Sequence, residues 1–511
     1  MLPCCPLVLC AFQSPAPPAE APPEPRGLRI STPGASPGYT LFAPIASKHT
    51  HLVDLEGREV HRWTSALAPS AVYLLDDGSI LRCARLEENK VFAGGGICGR
   101  IERIAWDGEL LWTYELANED QTSHHDARAM PNGNVLVITW EFRYREDCIA
   151  AGRDPSKVGE KGLWPDAVLE VKPTPPEGGE IVWEWHAWDH LVQDFDPAAD
   201  NYGVVADHPE LLDLNYDHRN APPMSAEERK KQEELEAEMR ALGYAGGDEE
   251  DQADEKDEAV GAATAPRTAA GGAPLQQPGQ GSDWLHTNAV DYDPELDLIA
   301  LSSPELSEVW ILDHSTTSDQ AAGHKGGRYG KGGDILWRWG NPKNHGAGTD
   351  DDRRLFYQHN VQWIPAGHPG AGHLLVFNNG QNRPGGEHSS IEELVLPLEP
   401  RKGFSRSGTA FGPKDPVWSY HDETSFYSAF ISGCQRLPNG NTLICEGPKG
   451  RIFEVTDAGA IVWEFWNPFG GDLKADGIDG QALFRATRVA PVHPGLKGRT
   501  LTPLPNERAD R

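Results

Sequence analysis

Apolar residues in this chain come in short alternating runs separated by Gly, Pro, Asn and Asp, the pattern of strands and tight turns rather than of helices. One phrase returns along the chain: a turn residue, a spacer, two apolar residues, Trp, then an aromatic two residues on. It reads GELLWTY (108–114), GEIVWEW (179–185), GDILWRW (333–339) and GAIVWEF (459–465), with looser copies GREVHRW (57–63) and DPVWSY (415–420). After each comes a second phrase, an alternating strand, a turn and an apolar strand: 72–84, 127–139, 289–303, 361–378, 434–447 and 487–501. The Asn-Gly turns at 132–133 and 439–440 are strong hairpin signals. A third phrase, an apolar strand running into a turn (HLVDLEG, IERIAWDG, AVLEVKP, EVWILDH, IEELVLP, RIFEVTDAG), precedes each Trp phrase. Four short strands repeated six times predict an all-β, six-bladed β-propeller of four-stranded blades over residues 27–505. Two β-sandwiches would fit six matched phrases poorly.

Two regions stand outside the repeat. Residues 1–26 read as an export-signal-like apolar start, MLPCCPLVLCAF, followed by a Pro/Ala-rich linker. Residues 191–282 carry no blade phrase and read as an acidic insert inside blade three. Within it, 225–242 predicts a short charged helix with Ser225 as N-cap, and 243–282 has a disordered composition.

Charge narrows the function. The net charge of −31 argues against nucleic acid and anionic membrane surfaces as partners. No apolar run reaches the ~18 residues of a transmembrane helix. The eight cysteines lack paired metal spacing and read as buried free thiols.

Aligning the second phrases on their turns and stepping back six residues gives one equivalent slot per blade: Ser70, His125, His286, His359, Ser432 and, for blade six, Arg485. In a propeller this slot opens the innermost strand, so the six side chains are expected near the mouth of the central channel. Only 19 of 511 residues are His, so three at one slot is a pattern rather than chance. Asn288 shares a strand face with His286, and Arg436 lies on the blade-five strand. Three uses are open: a metal held by imidazoles, nucleophilic catalysis by one neutral His with cations around it, or the lining of a water-filled channel. The shared slot favours catalysis. Trp112, Trp183, Trp337 and Trp463 are expected in blade cores. His186, Asp189 and His190 belong to a structural loop rather than a metal site, and His324, His345, His368, His373 and His388 to solvated loops.

The phrases HHDARAMPNGN, DWLHTNAVDYDPELDLIALSS, YQHNVQWIPAG and ISGCQRLPNGNTLI, with WEWHAWDHL, resemble the bacterial arylsulfotransferase family over nearly the whole chain outside the N-terminal segment and the insert. The resemblance implies a six-bladed propeller acting outside the cytoplasm. It implies transfer of a sulfuryl group from a phenolic sulfate donor to a phenolic acceptor through a sulfohistidine, without a nucleotide donor or a cofactor. By that resemblance His359 is the nucleophile. His125, and His286 with Asn288, resemble the residues that hold the sulfuryl oxygens and assist proton transfer; the slot and its strand add Arg485, Ser432 and Arg436 as substrate-binding candidates. One position departs: the family's arginine after Leu-Ser-Ser is Pro304 here, leaving Arg485, Arg436 or Arg383 to supply the cation. A propeller that only binds an anionic or phenolic ligand is the alternative. A quinoprotein-type dehydrogenase rests on the Trp phrase alone.

Overall fold

Six antiparallel sheets stand in a ring in the computed structural model, which describes residues 25–505 apart from 87, 88, 90, 217–229, 231–281, 400–402, 408 and 471–479. Blade one is Ala68–Leu74, Ile80–Arg85, Gly99–Ile104 and Leu110–Glu115, and blade two is Gln121–Ala129, Val135–Glu141, Asp166–Pro173 and Gly179–His186. Blade three is Ala289–Asp293, Leu298–Ser303, Glu308–Asp313 and Trp337–Trp339. Blade four is His359–Trp363, Leu374–Asn378, Ser390–Leu394 and Trp418–His421. Blade five, Gly433–Arg436 through Ile461–Trp466, gains a fifth strand from Gly27–Ser31.

Blade six corrects the expected hairpin at 487–501. Its innermost strand, Leu483–Val489, pairs instead with Tyr39–Pro44, and the N-terminal strands His49–Val53 and Glu59–Thr64 complete the sheet. The two ends of the chain thus close the ring with ladder hydrogen bonds, which protects both terminal strand edges.

The repeated Trp joins the blades. Trp112 Nε1 donates to Gly178 O (2.7 Å), Trp183 Nε1 to Thr316 Oγ1 (3.0 Å), Trp337 Nε1 to Gly412 O (2.7 Å), Trp418 Nε1 to Asp457 O (2.9 Å) and Trp463 Nε1 to Leu55 O (2.9 Å). Each partner lies in the next blade. The indole fills the space between neighbouring sheets while its N–H finds an acceptor across the gap, the use for which a large amphipathic ring is suited.

The insert lies between blades two and three rather than inside blade three, and its first part is ordered. Leu191–Val192 pairs in parallel with Leu212–Asp213, and Leu191, Leu212 and Leu214 join the apolar core of blades two and three. A sequence without blade phrases still carries these apolar residues, and burying them fixes the loop. The helix expected at 225–242 falls outside the described residues except for Lys230, and the export-like segment lies outside them up to residue 24. All five described cysteines are buried free thiols.

A buried ion pair anchors this loop to blade three. Glu308 and Arg338 are 0% and 1% exposed, with Arg338 Nε 3.1 Å and 3.0 Å from the two carboxylate oxygens and Nη1 2.8 Å from Leu211 O. His345, expected in solvent, is buried 3.6 Å from the same carboxylate. Arg338→Met leaves Glu308 charged and without its guanidinium. Equilibrium urea denaturation is expected to show a loss of about 3–5 kcal/mol.

Candidate active site

In four of the six blades the innermost strand is bulged at or beside the slot. The ladder skips at Ser70–Ala71 in blade one, His124–Asp126 in blade two, Asn360–Val361 in blade four and Phe484–Arg485 in blade six. A bulge puts an extra residue on one strand and re-aims its side chain. Left-handed backbone marks the same places: φ is 53° at His125, 53° at His286 and 52° at Asn360. These are strained conformations for residues with a Cβ, and they recur at the slot in blades two and three and one residue past it in blade four.

Bulged strands of blades two, four and six and the segment entering blade three bring His125, His286, His359 and Arg485 together. The His125 and His286 rings meet edge to face, centroids 4.4 Å apart. His286 and Arg485 act electrostatically on His359, as His359 and Arg485 do on His125, so the four groups share one site. All are buried: His125 is 0%, His359 1%, His286 6% and Arg485 7% exposed.

Hydrogen bonds assign the state of each ring. Asn379 Nδ2 donates to the carbonyls of Ser428 (2.8 Å) and Ile431 (3.0 Å), so its Oδ1, 2.9 Å from His359 Nδ1, faces the imidazole as an acceptor. His359 therefore carries its proton on Nδ1, and its lone pair is on Nε2. Ile431 N–H lies 3.2 Å from that Nε2. Burial depresses the His359 pKa to about 3, against the opposing Asn379 hydrogen bond. It is a neutral imidazole with a directed lone pair.

His286 is the opposite case. Burial disfavours its charge, but Asp283, hydrogen-bonded to Nδ1, with Glu305 and Asp166, outweighs it and raises the pKa to about 8. At neutral pH it is an imidazolium. Its Nε2 is buried and has no hydrogen-bond partner among the described residues. His125 is held neutral by burial and by the neighbouring His286 and His124, whose Nδ1 is 2.8 Å from its own. Gly96 covers its ring: with φ 77°, it leaves no room for a Cβ, which would stand 2.1 Å from His125 Nε2.

Arg485 spans the centre. It donates to Tyr73 Oη (2.7 Å), Asp126 Oδ2 (2.6 Å) and Asn288 O (2.7 Å), linking blades six, one, two and three. Asn288 holds the neighbouring strand by donating to Gln358 O (2.9 Å).

Two sequence candidates are turned elsewhere. Ser432 Oγ is 2.7 Å from Ser428 Oγ and accepts from Gly447 N (2.9 Å), so it closes its own loop. Arg436 lies at the turn end of its strand, over the Trp418 ring, bonded to Glu393 and to Gly440 O (2.9 Å). Of the other cations considered, Arg383 bonds Ser390 Oγ (2.8 Å) and sits 3.2 Å from His388 Nε2. Sequence reasoning missed Asp283, whose signal was an acid three residues before a slot histidine. It also missed Glu305 and Arg353, which bonds Ser307 Oγ (2.5 Å) at the corner after Pro304. Tyr357 Oη reaches Glu305 (3.4 Å) at the same corner.

Fold and site together define a six-bladed propeller that gathers a neutral and a cationic imidazole with an arginine at one end of its inner strands. The Arylsulfotransferase (ASST) family model matches residues 47–459, and the chain belongs to that family. Membership supports aryl sulfotransferase activity in general and small aryl substrates. No curated protein matches the chain. Among solved structures it is similar to a protein of unknown function from Bacteroides caccae (11% identity, 88% of this chain and 98% of that one, TM-score 0.40). It is also similar to virginiamycin B lyase from Staphylococcus aureus (9% identity, 91% and 99%, TM-score 0.33). Likeness at this level carries no functional argument. No helix among the described residues is long and apolar enough to cross a membrane.

Proposed function

We propose that the protein moves a sulfuryl group from an aryl sulfate to a phenol by a ping-pong route through a sulfohistidine at His359. The observation that carries this is the pairing of a neutral His359, lone pair on Nε2, with the protonated His286 beside it. In the first half-reaction Nε2 forms a bond to sulfur, the S–O bond to the aryl group breaks, and the His286 proton passes to the departing phenolate oxygen. In the second, the acceptor phenol returns a proton to His286, its oxygen bonds to sulfur, and the N–S bond breaks. Asn379 accepts from Nδ1 throughout and stabilises the positive charge on the sulfurylated ring.

The anionic sulfuryl oxygens need donors. Arg485 and the His286 imidazolium supply positive charge, which takes over the part of the cation absent at Pro304. Ile431 N–H, already pointed at Nε2, meets a sulfuryl oxygen once sulfur occupies that nitrogen. His125 orients the group from the other side. Purified protein given an aryl sulfate and a phenol, with no nucleotide, is expected to sulfate the phenol and to give parallel double-reciprocal lines. Intersecting lines would require both substrates bound together and would exclude the sulfohistidine.

A second reading has one observation behind it. Glu305, following Pro304, places a carboxylate near His286, which suits a propeller that binds a phenolic ligand without turning it over. We propose that sulfuryl transfer takes place outside the cytoplasm, as the family resemblance implies.

A further inference from the structure

Away from the ring centre, two imidazoles from separate segments converge on one carboxylate oxygen. Asp334 Oδ1 lies 3.0 Å from His190 Nδ1 and 2.7 Å from His324 Nδ1, and the three ligand atoms fall within 4.8 Å of one another. His190 comes from the loop after blade two, and His324 and Asp334 from the loop between the last two strands of blade three.

His190 Nε2 is 2.8 Å from Ala321 O. A carbonyl only accepts, so Nε2 carries a proton and Nδ1 is the atom turned toward Asp334. A ring nitrogen bonded to a backbone carbonyl while the other meets a metal is the usual support of a metal-bound histidine. The ring is further fixed by stacking on Trp185, centroids 5.8 Å apart, and Gly333 leaves no room for a Cβ beside it. His190 is 0% exposed, Asp334 is buried, and the His324 side chain is 57% exposed. The site is therefore closed on one side and open on the other.

We propose that His190 Nδ1, His324 Nδ1 and Asp334 bind a divalent transition-metal ion of the zinc type, with the remaining position open to solvent. Two imidazoles and a carboxylate are a borderline donor set suited to Zn²⁺. Donor atoms of a tetrahedral zinc site with Zn–N near 2.0–2.1 Å stand roughly 3.3 Å apart, so only a small spreading of the present contacts admits the ion. The open side faces a cleft of 490 Å³ lined by Trp188, Tyr202, His208 and His324 among others. A metal here clips the post-blade-two loop to the blade-three loop, away from the histidines at the ring centre.

The test is titration of the folded, tag-free chain with ZnCl₂ by calorimetry, alongside His324→Ala and Asp334→Asn. Wild type is expected to bind one Zn²⁺, and His324→Ala to weaken it by at least ~10-fold. X-ray absorption of the loaded protein is expected to show two imidazoles at the metal. Because His324 is exposed, its replacement should leave metal-free melting unchanged, which keeps the result interpretable should Asp334→Asn fail to fold. Added Zn²⁺ should raise the melting temperature of wild type alone. Absence of binding, or equal affinity in wild type and His324→Ala, would overturn the proposal.

Discussion

Replacing His359 with alanine is expected to abolish sulfuryl transfer, with a loss in kcat on the order of 10⁴-fold or more, since no second nucleophile stands at the same point. The ring is buried and anchored by Asn379 Oδ1 and Ile431 N–H. Alanine leaves both without their partner, so a stability loss of about 1–3 kcal/mol accompanies the change. His359→Asn offers a shorter polar group to the same neighbours and serves as the companion variant. Near-UV circular dichroism separates lost chemistry from lost fold. A variant that keeps its native spectrum and still turns over the donor would remove His359 from the mechanism.

The second large effect concerns Asp283, which touches no reacting atom but holds His286 protonated. Its carboxylate counters burial and lifts the His286 pKa to about 8. The alkaline limb of kcat/KM in wild type is therefore expected near pH 8. In Asp283→Asn burial is opposed only by Glu305 and Asp166, the limb moves to lower pH, and once it lies below pH 7.5 the rate there falls about tenfold for each further pH unit of displacement as the general acid is lost. A merely structural residue would lower the whole profile without moving the limb. Stability follows with a defined sign. His286 has a folded pKa above its unfolded value, so its contribution is complete below about pH 6.5 and is lost as pH rises through about 8. The shift corresponds to about 2 kcal/mol. His359, depressed to about 3, acts in reverse: its neutral burial is fully tolerated above pH 6.5 and is opposed as pH falls toward 3.

Much of the fold was legible because each blade must bury an indole at the same step of its outer strand. The Trp phrase therefore survives as a repeat even where other residues differ. Blade six was not legible in the same way: its hairpin partner is supplied by residues more than 400 positions earlier, and local pattern has no access to ring closure. The loop at 191–216 carries its apolar residues without strand or helix period, so only packing against blades two and three reveals its order. For the site, equal slot number correctly brought His125, His286, His359 and Arg485 together. It failed for Ser432, because slot position fixes a Cα and not a side-chain direction; there the hydroxyl turns back to Ser428 and Gly447. Arg436 lies four residues further along the same blade, at the turn rather than the slot. Asn379 fixes the tautomer of His359, a role that depends on the Ser428 and Ile431 carbonyls and leaves no local pattern.

The missing arginine at Pro304 is the main point where this chain differs from the pattern its family resemblance implies, and the proposed mechanism draws the charge from another source. Arg485 is held rigidly by Tyr73, Asp126 and Asn288, and the His286 imidazolium presents a buried Nε2 without a protein partner among the described residues. Cationic stabilisation from an imidazolium is pH-dependent in a way that an arginine is not. The alkaline limb thus reports the substitution directly.

The central claim rests on a covalent intermediate, and intact-protein mass spectrometry after incubation with an aryl sulfate, acceptor withheld, tests it most directly. The expected result is a gain of one SO₃ group, mapped by peptide fragmentation to His359 and discharged when a phenol is added. An unmodified mass, or an adduct that persists in His359→Asn, would contradict it.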